Sequence, residues 1–447
     1  MKFENQRNPI LPLRFHVPDS EAHVMTDGRL YVYGSFDNRD DVYCSEEYHV
    51  VSTSDMKHWE IEDEPSLTGD QVPWFRDPDA PKYPGIDWTH PTPFILKMLA
   101  ERAEDKEAFD RKEDEPKPAL LFAPDCIERN GRYYLYFCMA DDSEGVAVSD
   151  SPKGPFLNPV QLPCGGIDPA VFTDDDGKSY YYWGQLFSHG VPLKDDMMSF
   201  DPDQVVHNLV TEEEHFFHEG SSMRKIGATY YYVYANMERG KPTSLGYSTG
   251  PTPLGPFTYR GIIVDNAPCD PSSWNNHGSI ECVDGQWYIF YHRASRGMQQ
   301  HRRLCIEKIE ILPDGTIPEV KMTSQGVGAP FAPGETIMGY QACEVHGGCY
   351  IDIDETFEEK LSGLTAGAKA IFRYIRSDSG WHTVRLTARG SGTLCIRLGD
   401  AAAGEVTVES KDWTTVEAPI RGDAGCFELC LNVMKGENLD IADVTLF

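Results

Sequence analysis

Five residues occupy corresponding points along this chain: Asp19 in VPDSEAHV, Asp125 in APDCIE, Asp168 in GIDPAVF, Glu219 in HEGSSM and His277 in NHGSIE. Each precedes a glycine that opens an aromatic-rich run, namely Gly28, Gly131, Gly177, Gly227 and Gly285. A polar or charged residue at the same point of five repeats marks a shared site better than five separate structural uses. Asp19, Asp168 and Glu219 give that site three carboxyl groups, and three carboxyls around one pocket suit hydrolysis of a glycosidic bond. The leaving oxygen needs a proton from an acid that is still protonated near neutral pH. The anomeric carbon needs a water activated by a carboxylate on the opposite face. A third carboxylate beside the acid opposes its ionisation and raises its pKa.

The elements that must position these groups are the repeats themselves. RLYVYGS follows Gly28 closely, as RYYLYFC follows Gly131, KSYYYWG Gly177, ATYYYVYA Gly227 and QWYIFYH Gly285. These runs are dense in the aromatic and β-branched residues that favour strands, and a turn precedes each one. After the first, the intervals between the glycines fit one propeller blade of four short strands. The expected fold is all-β, with a five-bladed β-propeller over residues 1–320. The first strand of each blade would line the central channel and bring the residues at its start to one mouth. The long first interval holds an insertion at about 62–118. It begins as proline-rich coil, then predicts a helix from Thr92 with Pro93 in its first turn and Ile95, Leu96, Leu99 and Ala103 on its apolar face. Trp74, Phe75 and Trp88 are candidates there for a pocket rim. Residues 321–339 predict a connector. Residues 340–447 alternate apolar and polar in short runs, the pattern of a jelly-roll-like antiparallel β-sandwich. Trp381 and Trp413 in it are candidates for stacking on sugar, or for packing in its core.

Composition narrows the partners. Among 447 residues, 40 are Lys or Arg and 71 are Asp or Glu, a net charge of −31. Such a surface repels phosphate backbones and anionic lipid, so the expected partner is an oligosaccharide or polysaccharide, not nucleic acid or a membrane. No apolar run approaches the roughly 18 residues of a membrane span. The opening MKFENQRNPILPLRF lacks the apolar stretch of a secretory signal, which gives a cytoplasmic location as the expectation. The 12 cysteines form no CxxC pair and are read as small buried hydrophobes in a reducing compartment.

Taken in order, the Pro-Asp at Asp19 before a Tyr-rich strand, APD at 123–125, IDPAVF from Ile167, the Glu-Gly of EGSSMRK and NHGSIE resemble glycoside hydrolase family 43. The resemblance implies an inverting, exo-acting hydrolase on a five-bladed propeller. It would remove terminal α-L-arabinofuranosyl or β-D-xylosyl residues from plant polysaccharide fragments. An exo-β-galactosidase and a non-hydrolytic carbohydrate-binding protein are the alternatives. By position Asp19 is then the general base, Glu219 the general acid, and Asp168 the residue that tunes and orients the acid. Arg302, Phe36 and Asp125 are the expected substrate contacts, with Arg303 leaving the arginine register open. His277 matches a channel histidine that can help hold a calcium ion; no other cofactor is implied. The C-terminal region is similar to carbohydrate-binding module family 6. PDSEAH around Asp19, and Phe122 where a Trp often stands, depart from the family pattern and bear on which sugar is taken.

Overall fold

A computed structural model describes the chain from Met1 to Phe447, apart from residues 87, 88, 94, 95, 98, 99, 101–116, 296, 297, 355 and 357. The five aromatic runs are the second strands of five antiparallel sheets. Blade one is built on Glu21–Val24 and Leu30–Tyr33, and blade two on Leu121–Arg129 and Arg132–Met139. Blade three has Ala170–Thr173 and Ser179–Trp183, blade four Phe217–Ile226 and Thr229–Asn236, blade five Ser279–Val283 and Gln286–Ser295. Aromatics from neighbouring blades interlock between the sheets. Tyr136 of blade two meets Tyr181 of blade three at 5.3 Å between ring centroids, and Tyr182 meets Tyr232 of blade four at 5.5 Å. Such contacts contribute beyond their buried area.

The first strand of every blade is innermost, and these five pack side by side around the channel. Closure joins blade five to blade one. Ser20 bridges Gly278 in parallel, and the Ser279 hydroxyl donates to the Ser20 carbonyl at 2.9 Å. The N-terminal segment seals the outside of the same seam. Ile10 N donates to Leu304 O at 3.0 Å, and the Asn8 side chain accepts from Ile306 N at 2.9 Å.

In the insertion, Trp74 is not a rim residue. It is buried, its ring stacks on Phe137 at 6.0 Å and its indole N–H donates to the Ser143 hydroxyl at 3.0 Å. Phe75 packs against the same core. An apolar ring next to an inter-blade core gains more from burial than from lining a wet rim. Trp88, Ile95, Leu99 and Ala103 lie outside the described residues. Leu96 N donates to Thr92 O at 3.0 Å, the bond of a helical turn, and the Leu96 side chain is exposed.

The C-terminal region forms an eight-stranded antiparallel sheet that curls nearly closed around its own core. Its strands are longer than the sequence runs implied. The runs at 384–389 and 393–398 are one strand, Trp381–Leu398, whose pairing shifts register between Ala388 and Gly390. Gly390 there has φ of 108°, a backbone setting that side chains oppose, so a turn-like glycine marks a bulge inside a continuous strand. Trp381 is buried in this core and offers no face to a sugar, whereas Trp413 is exposed.

Candidate active site

Asp19, Asp168, Glu219, His277 and Arg302 line one pocket of about 190 Å³ at the mouth of the channel. Tyr43, Cys44, Phe122, Ile167, Trp274 and Asn275 complete its wall. The backbone at the strand starts is unusual in the same way in several blades. Asp19 has φ of 54°, Ala123 35°, Asp168 55° and Gly220 79°. This left-handed setting turns the chain sharply as it enters the innermost strand, and aspartate is among the few non-glycine residues that adopt it readily. Strain of this kind concentrates at functional sites. In blade four the pairing with the next strand also slips on either side of Glu219, a bulge that re-aims its side chain. Gly220 is required there, because a Cβ would come within 2.9 Å of the His277 ring.

Register corrects one expected contact. Ala123 in blade two, not Asp125, has the left-handed turn shared by Asp19 and Asp168. Side chains alternate along a strand, so Asp125, two residues further on, falls one layer deeper, as Glu21 does after Asp19. Asp125 is buried in the channel, where it pairs with His23 Nε2 at 2.7 Å and accepts from Val171 N at 2.7 Å. It does not line the pocket. Nor does Phe36, whose ring is buried in the blade-one core between Phe15 and His49. The alternation that points Ser35 and Asp37 toward the site turns Phe36 away.

Arg302 is the arginine of the site, but it binds the acid itself. Its Nη1 donates to Asp19 Oδ1 at 2.8 Å. Nε and Nη2 make a fork to Asp37 at 2.9 and 3.0 Å, a bidentate arrangement that fixes the guanidinium plane. Ser35 donates to Asp19 Oδ2 at 2.7 Å. Arg303, on the opposite strand face, is buried against Glu359 of the C-terminal sheet at 2.5 Å. Burial works to raise the pKa of Asp19, but the Arg302 charge, helped by the Ser35 bond, outweighs it and holds the carboxyl below its usual range. His292 is kept neutral, its pKa pushed down to about 3 by burial and by Arg302. Its Nδ1 accepts from Asp19 N at 3.4 Å, which leaves Nε2–H to donate to Asn275 Oδ1 at 3.2 Å.

Asp168 is the opposite case. Burial, then the nearby charges of Glu219 and Asp19, push its pKa well above the usual carboxylate range. His277 Nδ1 sits 3.8 Å from Asp19 Oδ1 and 3.7 Å from Asp168 Oδ2, and burial lowers its pKa. Glu219 Oε2 accepts from Gln185 Nε2 at 2.8 Å. The pocket therefore combines a carboxyl group held low by a buried cation with a second, Asp168, pushed high by burial and by its acidic neighbours.

His277 does not belong to a ready-made ion cage. Among the described residues, the three ligand-type side chains close enough to share an ion are Glu21, His23 and Asp125, with ligand atoms within 4.8 Å of one another. That group lies below the pocket and already contacts the Arg224 guanidinium.

Asp37, Tyr43, Trp274, Asn275 and His292 were not singled out from sequence. Asp37 carries a signal in retrospect, since it lies two residues beyond Ser35 on a strand exit aimed at the channel. The other four sit in loops or on blade five, where no repeat pattern points to them.

A five-bladed ring whose channel mouth gathers three carboxyl groups, one of them braced by a buried arginine, has the architecture of a hydrolase of glycosidic bonds. The sequence profile of Glycosyl hydrolases family 43 matches residues 99–317. A "Xylosidase/arabinosidase" of Thermoclostridium stercorarium is 30% identical over 389 residues, covering 76% of this chain and 72% of its own. A crystal structure of a family 43 beta-xylosidase/alpha-arabinofuranosidase from a compost microbial metagenome, with xylotriose in a calcium-free form, is 27% identical. It matches with a TM-score of 0.54, covering 72% of this chain and 98% of that one. An arabinoxylan arabinofuranohydrolase of Bacillus subtilis shares the fold across 98% of this chain, with a TM-score of 0.52 at 21% identity. The chain belongs to glycosyl hydrolase family 43.

Proposed function

We propose that this protein is an exo-acting glycoside hydrolase that removes terminal β-D-xylosyl or α-L-arabinofuranosyl residues with inversion. The observation that carries the reading is the gathering of Asp19, Asp168 and Glu219 on one pocket with opposite protonation tendencies at Asp19 and Asp168. The ionised Asp19 takes a proton from a water as it attacks the anomeric carbon. Glu219 gives a proton to the leaving oxygen, and Asp168 beside it orients that acid. The small pocket suits one ring at the end of a chain, with Trp274 and Tyr43 packing its apolar face. The names of the relatives favour a pentose over galactose. No step of this reading passes through a calcium ion.

The division into a propeller of residues 1–320, a connector of 321–339 and a separate sheet of 340–447 belongs to the same reading. Its support is that the last blade strand ends at Ile309, while the C-terminal sheet opens with Thr336–Met338 pairing to 443–445. A carbohydrate-binding role for the C-terminal sheet is supported by the exposed Trp413, whose ring carries the Arg389 guanidinium at 4.9 Å.

The test is NMR of the first product released from a synthetic xyloside or arabinofuranoside. Inversion gives the opposite anomer first; initial release of the retained anomer refutes the mechanism. Asp19→Ala and Glu219→Ala should each lower kcat at least about a hundredfold. Variants that keep most of their activity would remove both role assignments.

A further inference from the structure

Below the catalytic pocket, the five innermost strands meet in one buried charge network. Blade one supplies Glu21 and His23, blade two Asp125, blade four Arg224 and blade five Glu281. Blade three joins through its backbone, with Val171 N on Asp125 Oδ2 at 2.7 Å. Arg224 is the pivot. Its Nη2 donates to Glu21 Oε2 at 3.1 Å and to Ala22 O at 2.7 Å, and Nη1 donates to Met223 O at 2.8 Å. Its Nε faces Glu281 Oε2 at 3.3 Å. His23 Nε2 lies 2.7 Å from Asp125 Oδ1 and 3.6 Å from Glu21 Oε2.

Glu21, His23 and Asp125 have the chemistry and spacing of a divalent-cation site, and Glu21 Oε1 is buried with no hydrogen-bond partner. As the network stands, an ion fits poorly. His23 Nε2 and Asp125 Oδ1 are committed to each other, and an ion between them would sit beside a guanidinium that cannot lose its charge. Three carboxylates converge here, and without a cation their burial together would cost several kcal/mol per ion.

We propose that Arg224 is the resident cation of the channel: it neutralises a carboxylate–histidine group that would otherwise hold a divalent ion, so this group is metal-free in the working protein. The role is independent of which sugar is cleaved. It also ties the ring together beneath the active site, because Glu21 lies two residues along the strand that Asp19 opens.

The experiment compares wild type, Arg224→Met, Arg224→Lys and Asp125→Asn, each chelated and dialysed. Melting temperature is read with EDTA, CaCl2 or ZnCl2, and bound metal is counted by elemental analysis. Wild type and Arg224→Lys should melt alike in all three solutions. Arg224→Met should melt lower by about 10 °C in EDTA and regain roughly 5 °C with one of the metals. If Arg224→Met folds and neither metal moves it, the group is not a latent ion site and the proposal fails. If Arg224→Met does not fold, wild type decides. One bound equivalent of metal that Asp125→Asn abolishes overturns the proposal; no bound metal, or metal that Asp125→Asn leaves in place, upholds a metal-free group.

Discussion

Arg302 should set the pH at which the enzyme switches on. Its Nη1 lies 2.8 Å from Asp19 Oδ1, both side chains are buried, and Asp37 fixes the guanidinium from the other side. In the proposed mechanism Asp19 is the base and must be ionised, and this cation outweighs burial to hold its pKa down. Replacing Arg302 by Met removes the main opposition to burial and leaves the Ser35 bond. An adjacent arginine typically lowers an aspartate pKa by about 1–3 units, so the carboxyl should rise by a comparable amount. Each unit corresponds to about 1.36 kcal/mol of lost preference for the charged form. The sign is fixed: a higher pKa means the active ionised form is lost sooner as pH falls. The acidic limb of kcat/KM, which reports the free enzyme, should move up by about 1–2 pH units. Below the shifted limb the loss relative to wild type should grow about tenfold for each unit moved, while the neutral plateau falls much less. The buried Asp37 is left without its partner, a cost of about 3–5 kcal/mol. The Arg302→Met/Asp37→Asn double variant removes that charge and keeps the comparison valid if the single variant folds badly. The assay is a pH–rate profile on an aryl xyloside and an aryl arabinofuranoside. A uniform drop in kcat/KM with the acidic limb in its original place would mean that Arg302 does not act through the ionisation of Asp19.

Asp168→Asn should move the alkaline limb of kcat/KM to lower pH, because the like charge that keeps the proton on the Asp168–Glu219 pair is gone; an unmoved limb contradicts the tuning role. The same variant should flatten the alkaline side of the stability curve. The raised Asp168 pKa favours the native state while the group is protonated, and that contribution is lost as pH rises through the folded value. Glu359→Gln strands Arg303 and Arg293 in the seam between propeller and C-terminal sheet. It should cost about 3–5 kcal/mol in thermal or denaturant unfolding while kcat per folded molecule stays near wild type. Trp413→Ala should weaken retention in polysaccharide affinity electrophoresis with no change in hydrolysis of a small aryl glycoside; unchanged retention removes carbohydrate binding from that face.

The blades were legible because each is a local repeat. A glycine in a turn, then alternating aromatics, specifies a hairpin from neighbours in sequence, and five such hairpins in order specify the ring. Asp19, Asp168 and Glu219 were legible for the same reason, since they keep a fixed distance from those glycines. The pattern failed where a strand carries two acidic layers. Asp125 satisfies the motif but falls in the lower layer, because only the left-handed kink at Ala123, inside the blade-two strand, shows which residue faces the pocket level. Phe36 and Trp74 were misplaced because an aromatic residue looks the same in sequence whether it packs between blades or faces a sugar.

Local sequence by itself determined the five blade hairpins and the acids near their starts, since these depend on propensity and spacing within some twenty residues. The tertiary structure decided what those acids are chemically. Arg302 comes from the far end of the propeller to reach Asp19, and Glu219 arrives from another blade to crowd Asp168. The charge state of a buried carboxyl depends on which groups surround it in space, and ring closure is what brings groups some two hundred residues or more apart to the same pocket.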